Sequence, residues 1–273
     1  MRLSAEFGRA VASLAEYLHP ALWREWLSLG VEQLGYTAFW LAVLRITFVN
    51  FLLSGDNAVV IAMACRELPP RQRRWGLITG AGVAVILRVV LAGVLTWLLL
   101  LPYLKLIGGV ALIFIAAKLL VPEEPDRDEI QAVAHLWRAV MIIAVADIVM
   151  SIDNMIAIAA IAAGNLLLLA IGLAISIPLI LAGAALVLAL LRRFPILIWA
   201  GTALLGWIAG DLMITDAELS RLLAARIGGT LVGQIDFAAP ATGAVLAIAA
   251  GGLWRCWHDS KAAVAADQTA VGR

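Results

Sequence analysis

The sequence predicts an all-α membrane protein with about seven transmembrane helices, and three observations lead to this fold class. Of the 273 residues, 63% are hydrophobic and 14% are charged, whereas a soluble domain averages about 45–50% and about 25%. The apolar residues fall in long continuous runs, and these runs are rich in Ala and Leu. Such runs favour helices over the alternating strands of a barrel. This composition excludes a soluble enzyme, a disordered chain and a nucleic-acid-binding module.

The first 35 residues differ from the rest because charged side chains interrupt every hydrophobic run. Glu6 and Glu16 would lie in the apolar core of a signal peptide, so we expect no cleaved leader. Trp23 and Trp26, with leucines nearby, predict an amphipathic helix on the membrane surface. A disordered or packed extension is the alternative for residues 1–35.

Seven apolar runs follow, each close to the roughly 20 residues that a helix needs to cross the hydrocarbon. They cover residues 37–63, 75–101, 102–121, 138–163, 165–191, 195–215 and 238–257. The chain is therefore divided into a first membrane unit at 36–121, an acidic cytoplasmic linker at 122–137, a second unit at 138–216, an external connection at 217–237, a last helix at 238–258 and a tail at 259–273.

The distribution of Lys and Arg predicts the orientation of the helices. One side of the predicted membrane collects 12 of the 20 basic side chains and the other side 6, while Arg45 and Arg88 lie within spans. The richer side is expected to be cytoplasmic. The N-terminus is then outside and the C-terminus is cytoplasmic, in a multi-pass membrane protein.

The two membrane units contain related segments. Residues 50–57 read NFLLSGDN and residues 147–154 read DIVMSIDN. The alignment pairs Asn50 with Asp147, Ser54 with Ser151, Asp56 with Asp153 and Asn57 with Asn154, and it continues through Pro102 and Pro195. Because each unit has three spans, the second copy must enter the membrane from the opposite face. We therefore predict two inverted three-helix repeats plus one extra helix, a construction common in secondary transporters.

Four aspartates, Asp56, Asp147, Asp153 and Asp211, lie inside these apolar spans. An aspartate at a helix centre costs about 2.5–3.5 kcal/mol on insertion scales, so something must offset the charge. Protonation, an ion pair with Arg45, Arg88 or Lys118, or a bound cation would each do so. The first two remain alternatives, and pairing is most plausible for Asp211.

The residue types around the aspartates favour a hard divalent cation as the third alternative. Carboxylate, amide and carbonyl oxygens suit Mn²⁺, Mg²⁺ or Ca²⁺, and Gly55 provides a place where the first helix can unwind and expose carbonyls. The spans hold no His or Cys pair for Zn²⁺ or Cu⁺. The candidate metal ligands are Asp56, Asn57, Asp153, Asn154, Asp147, Asn50 and Asp211.

Several of these segments are diagnostic. The run LSGDNAVVIA at 53–62, the run RELPPRQR at 66–73, LKLIGG at 104–109, ADIVMSIDN at 146–154 and LGWIAG at 205–210 resemble the TerC family, and within it the YjbE-type branch. The resemblance spans about residues 37–258. It implies a bacterial membrane protein linked to manganese efflux, in a family historically tied to tellurium resistance, with Asp56, Asp147 and Asp153 at the metal site. At the position of Asp211 that branch has Glu, so this chain has the same negative charge on a shorter side chain.

The resulting hypothesis is a secondary transporter that exports Mn²⁺ by alternating access, with proton or sodium exchange. No phosphate-binding loop is present to hydrolyse ATP, and we expect no enzyme activity and no prosthetic group. The expected partners are the divalent ion and the lipid bilayer, without nucleic acid; a homo-oligomer or an association with secretion machinery stays open. Two rival functions remain: a non-transporting subunit that delivers metal to secreted proteins, and an intramembrane aspartyl hydrolase.

Overall fold

The computed structural model describes residues 33–98, 101–121, 129–162, 165–227 and 229–271, and these residues form helices without any strand. The helices in these ranges are α1 (Thr37–Leu53), α2 (Gly55–Cys65), α3 (Pro70–Leu98), α4 (Leu104–Leu120), α5 (Glu129–Ala162), α6 (Leu166–Arg193), α7 (Ile196–Ile214), α8 (Ala217–Ile227) and α9 (Gly229–Val271). The predicted all-α fold class is therefore confirmed. The N-terminal extension up to residue 32 and residues 122–128 of the linker lie outside the described residues.

Within the described ranges, five helices are long and apolar enough to cross a membrane: parts of α3, α5, α6, α7 and α9. The pair α1 and α2 adds a sixth if it counts as one span bent by 58°. Helix α4 has 17 residues, about 26 Å at the helical rise, which is short of the roughly 30 Å hydrocarbon core. The first predicted span corresponds to the bent pair α1 and α2, and each of the other six corresponds to one helix; five or six of the seven meet the length of a membrane span.

The connections contain more helix than the sequence pattern predicted. Helix α5 begins at Glu129, inside the predicted linker, and α8 lies within the predicted connection at 217–237. Helix α9 begins at Gly229 and continues to Val271, through most of the predicted tail. Polar helical extensions carry no apolar run, so the hydropathy pattern marks only their membrane-spanning part.

The break between α1 and α2 lies at Ser54 and Gly55. The Asn57 amide donates to Asp56 Oδ1 at 2.8 Å, where a continuous helix would use the Leu53 carbonyl. In the second copy Ile152 replaces Gly55, and α5 runs through the motif without interruption. The first motif therefore has a helix break, which releases the Leu53 carbonyl from the Asn57 amide, and the second motif has neither feature.

Helices from the two predicted repeats pack on each other. Helix α1 packs on α6, α3 packs on α5, and α4 packs on α7. Ile46 of α1 would meet a Cβ placed on Gly172 of α6 at 2.5 Å, and Ile143 of α5 would meet one on Gly80 of α3 at 2.6 Å. The first helix of each unit thus packs against a glycine in the second helix of the other unit. The core therefore forms between the two units.

Candidate functional site

Arg88, in the middle of α3, is the centre of a buried polar network with only 2% of its surface exposed. Its Nε donates to Asp147 Oδ2 at 3.2 Å and to Ser151 Oγ at 3.0 Å. Its Nη1 donates to Asn50 Oδ1 at 2.6 Å and to Ser54 Oγ at 3.0 Å, and Nη2 donates to Asp147 Oδ1. The guanidinium is therefore paired with a carboxylate and its hydrogen-bonding groups are well satisfied, as burial of a charge requires.

The partners of Arg88 come from equivalent positions of the two motifs. Asn50 and Ser54 belong to the first, and Asp147 and Ser151 to the second. All four are buried. The Asn50 amide also donates to Ser176 Oγ of α6 at 2.6 Å. Arg88 therefore contacts both motifs at once, and it neutralises the negative charge of Asp147.

Asn57 is buried without hydrogen bonds from its side chain. It is 4% exposed, and neither its Oδ1 nor its Nδ2 has a partner among the described residues. It lines a cavity of about 10 Å³ together with Asp147, Val60, Ile61 and Ile143, which is about the space of one water-sized particle. An unpaired buried amide costs about 1–3 kcal/mol, so the two polar atoms of Asn57 are open to a further partner.

Asp56 precedes Asn57 at the first turn of α2 and is half-buried. Within the described part of the chain its carboxylate makes no ion pair, and it accepts a hydrogen bond from the Asn57 amide. Arg88 and Asp147 are close enough to act on its charge electrostatically. Asp56 is thus an unneutralised carboxylate beside the unpaired amide.

Asp153, the repeat equivalent of Asp56, is half exposed and forms an ion pair with Lys105 of α4, with Nζ 2.6 Å from Oδ1. Asp147 and Asp153 are six residues apart on a continuous helix, which turns them about 120° away from each other. Asp147 therefore faces Arg88 in the core while Asp153 faces α4. The helix is not distorted to bring these two aspartates onto one face.

The second motif nevertheless contacts the first through its asparagine. Asn154 Nδ2 donates to the Leu53 carbonyl at 3.1 Å, which is the carbonyl that the break after α1 leaves free. The structure thus brings Asn50, Asn57 and Asp147 to one buried region, and it places Asn154 against the helix break beside Asp56.

Asp211 is exposed on α7, away from this network. Its backbone carbonyl accepts a bond from Thr215 Oγ1 at 3.0 Å. In the ranges that the structure describes, no three His, Cys, Asp or Glu side chains gather closely enough to hold a metal. Any ion site here needs amide or carbonyl oxygens as well as carboxylates.

Sequence reasoning named Arg88 as a candidate ion-pair partner but did not give it a central position. It did not connect Lys105 with Asp153. The signal for Arg88 was its place within an apolar span, where a basic residue needs a buried partner. For Lys105 the sequence carries no such signal, because the pairing depends on how α4 packs.

The same stretch that carries this network matches a known family. The profile of the "Integral membrane protein TerC family" matches residues 36–256. The chain belongs to the TerC family. Its multi-pass helical architecture agrees with that description.

Individual relatives show how far the similarity extends. The chain is 40% identical over 184 residues to the "Uncharacterized membrane protein YjbE" of Bacillus subtilis, covering 67% of this chain and 84% of that protein. It is 28% identical to the "UPF0053 inner membrane protein YoaE" and 26% identical to the "UPF0053 protein YegH", both of Escherichia coli, over 44% and 46% of this chain. Those matches cover 27% and 28% of the longer proteins. No solved structure matches significantly.

Proposed function

We propose that this TerC protein is a secondary transporter of the bacterial inner membrane that exports a divalent cation, Mn²⁺, by alternating access. Asp56 with Asn57 receives the ion in the first motif, and Asp153 with Asn154 receives it in the second. Asn50, Asp147 and Asp211 are the further ligand candidates. Of these, Asp147 is engaged by Arg88 in the present conformation.

The single observation that carries the proposal is the unpaired polar side chain at the first motif. Asn57 keeps both polar atoms without partners inside a cavity, and the adjacent Asp56 has no ion pair among the described residues. An ion held jointly by the Asp56 carboxylate and the Asn57 amide oxygen would relieve the desolvation cost of both groups. A protein selected only for stability would have an apolar residue at position 57.

The donor chemistry supports a hard divalent ion. Carboxylate and amide oxygens are the ligands that Mg²⁺, Ca²⁺ and Mn²⁺ take in proteins. We choose Mn²⁺ because the resemblance of both motifs to the TerC family implies manganese efflux.

The packing supports two inverted repeats, although the repeats themselves remain part of the proposal. The first helix of each unit packs on the second helix of the other, and α4 packs on α7. Arg88 contacts equivalent positions of both motifs. In secondary transporters, rocking of one repeat against the other exposes a central site to each side in turn.

Export also needs an energy source. Moving a divalent cation outward against an inside-negative potential costs about 4.6 kcal/mol per 100 mV. Proton or sodium exchange would provide this energy, since protons or sodium ions entering the site would replace the released metal at its carboxylates.

The test is ion flux into proteoliposomes that contain the purified protein. Mn²⁺, Mg²⁺ and Ca²⁺ are offered to the native chain and to Asp56→Asn, Asp153→Asn and Asn57→Leu. We expect Mn²⁺ flux in the native chain, and a loss of at least tenfold in Asp56→Asn and Asn57→Leu. Asn57→Leu should fold at least as stably as the native protein, because it removes an unpaired buried amide.

Asp259→Asn is the matched control, because Asp259 is an exposed carboxylate near Arg255 on α9, outside the candidate site. It should transport as the native protein does. Absence of Mn²⁺, Mg²⁺ and Ca²⁺ flux in well-folded native protein would refute the transport proposal. Unchanged flux in both Asp56→Asn and Asn57→Leu would remove the first motif from the pathway.

A further inference from the structure

We propose that Lys105 is a tethered cation that competes with the transported ion for Asp153, so that the metal reaches the second motif only when the Lys105 ammonium leaves. This inference rests on the proposed transport function and adds a residue to it. Lys105 thereby controls the step at which the ion leaves the site.

The contact itself is direct. The Lys105 ammonium lies 2.6 Å from Asp153 Oδ1, where a divalent ion bound to the same oxygen would lie. The Lys105 side chain is 22% exposed and that of Asp153 is 46% exposed. The pair is therefore accessible enough for the lysine to leave without exposing a fully buried charge.

The two repeats differ at this position. Asp153 corresponds to Asp56, and Lys105 corresponds to Ile198 in the alignment that pairs Pro102 with Pro195. Asp56 has no ion pair within the described residues, while its equivalent has one. The two halves therefore present one free carboxylate and one carboxylate that the protein itself neutralises, which is the asymmetry expected of a site open to one side and closed to the other.

Lys105 also borders a cavity of about 430 Å³ at the start of α4, lined by Tyr103, Asp216, Glu218 and Arg221 among others. This cavity lies at the opposite end of α4 from Lys118, which lines a second cavity with Arg66 and Arg138. An ion released from Asp153 past Lys105 would enter a polar space, in which Glu218 is paired with Arg221 and Asp216 accepts bonds from backbone amides. Lys105 thus stands between the second motif and a polar exit.

The start of α4 is anchored beside that cavity. Asp216 is 3% exposed, and its Oδ2 accepts from the Leu106 amide at 3.4 Å while its Oδ1 caps α8. Tyr103 has a φ of 59°, a left-handed conformation that a bulky residue rarely adopts. The Asp216 contacts hold the first turn of α4 next to α8 in this conformation, and the flexible four-carbon stem of Lys105 lets its ammonium leave Asp153 without moving that turn.

Metal binding and flux by Lys105→Met test the inference, with Lys118→Met as the matched control on the same helix. Binding of Mn²⁺ to the purified full-length protein is measured by calorimetry, and flux is measured in proteoliposomes. Lys105→Met should bind Mn²⁺ at least tenfold more tightly at the second motif. It should also release the ion more slowly, so that the maximal flux falls. The combined variant Lys105→Met/Asp153→Asn should lose the gain in affinity, and Lys118→Met should behave as the native chain.

A second readout does not depend on transport. The reactivity of the Lys105 amine toward a water-soluble acylating reagent is followed by mass spectrometry, and it should rise in Asp153→Asn and also when Mn²⁺ is added to the native protein. Unchanged Mn²⁺ affinity and flux in Lys105→Met would overturn the inference while native flux stands. Native protein without metal flux would instead defeat the proposed function. If Asp153→Asn left the reactivity of Lys105 unchanged, the ion pair itself would be refuted.

Discussion

At the scale of single residues, the three aspartates of the two motifs differ in their ion pairing. Asp147 is neutralised by Arg88, Asp153 by Lys105, and Asp56 makes no ion pair in the described part of the chain. Since a charge in a poorly solvated span is costly, the Asp56 carboxylate is the group best placed to attract a cation. The sequence places all three in apolar spans and does not distinguish among them.

The buried pair of Arg88 and Asp147 leads to a stability prediction. Arg88→Met and Asp147→Asn should each lower the free energy of unfolding by about 3–5 kcal/mol, because each leaves the other charge without a partner. The double variant should lose less than the sum of the two. Thermal unfolding of the purified protein in detergent, read by size-exclusion chromatography after heating, measures this difference.

Arg45→Met serves as the control for that experiment, since Arg45 lies on an exposed face of α1 and should change stability little. Strictly additive losses in the double variant would show that Arg88 and Asp147 are not energetically coupled.

At the scale of elements, close helix packing depends on glycine. Helices α7 and α9 approach each other where Gly206 and Gly210 face Gly243, and a Cβ on Gly206 would lie 2.5 Å from the Gly243 carbonyl oxygen. Small residues at such crossings let helix backbones meet in a membrane, where packing replaces the hydrophobic effect. This contact fixes α9 onto α7.

We predict that Gly210→Ala destabilises the protein by about 1–3 kcal/mol, because the added methyl would collide with the α9 backbone at Ala239 and Pro240. Gly82→Ala is the matched control: no atom lies within 4 Å of the added Cβ, and alanine favours a helix. Unfolding midpoints of the two variants provide the comparison, and equal midpoints would argue against the close crossing.

At the scale of the whole molecule, the basic residues predict which side faces the cytoplasm. The end of α9 should be cytoplasmic, and the start of α8 should be outside. Single cysteines at exposed Ser260 and Ala217 report the two sides in a Cys256→Ser background, where the remaining Cys65 is fully buried. An impermeant maleimide should label Ser260→Cys only in inside-out vesicles and Ala217→Cys only in right-side-out vesicles.

The Cys256→Ser background itself should remain unlabelled in both vesicle preparations. The opposite labelling pattern would invert the predicted topology, and with it the direction of ion movement that we infer.

The sequence alone determined the helical class and the approximate position of every apolar helix, because run length and continuity follow directly from the thickness of the membrane. It also determined which residues of the two motifs correspond, and it indicated the helix break at Gly55. The sequence did not predict polar helical extensions such as the start of α5, because they lack an apolar pattern.

Only the tertiary structure decided which charged side chains form ion pairs with one another. The partners of Arg88 come from α1, from the break after it and from α5, and Lys105 reaches Asp153 across the packing of α4 on α5. Those contacts depend on the rotation of each helix about its axis and on the break that frees the Leu53 carbonyl. Gly55 indicates the break from the sequence, but the rotation of each helix is not encoded in local spacing, because it is set by how helices distant in sequence pack together.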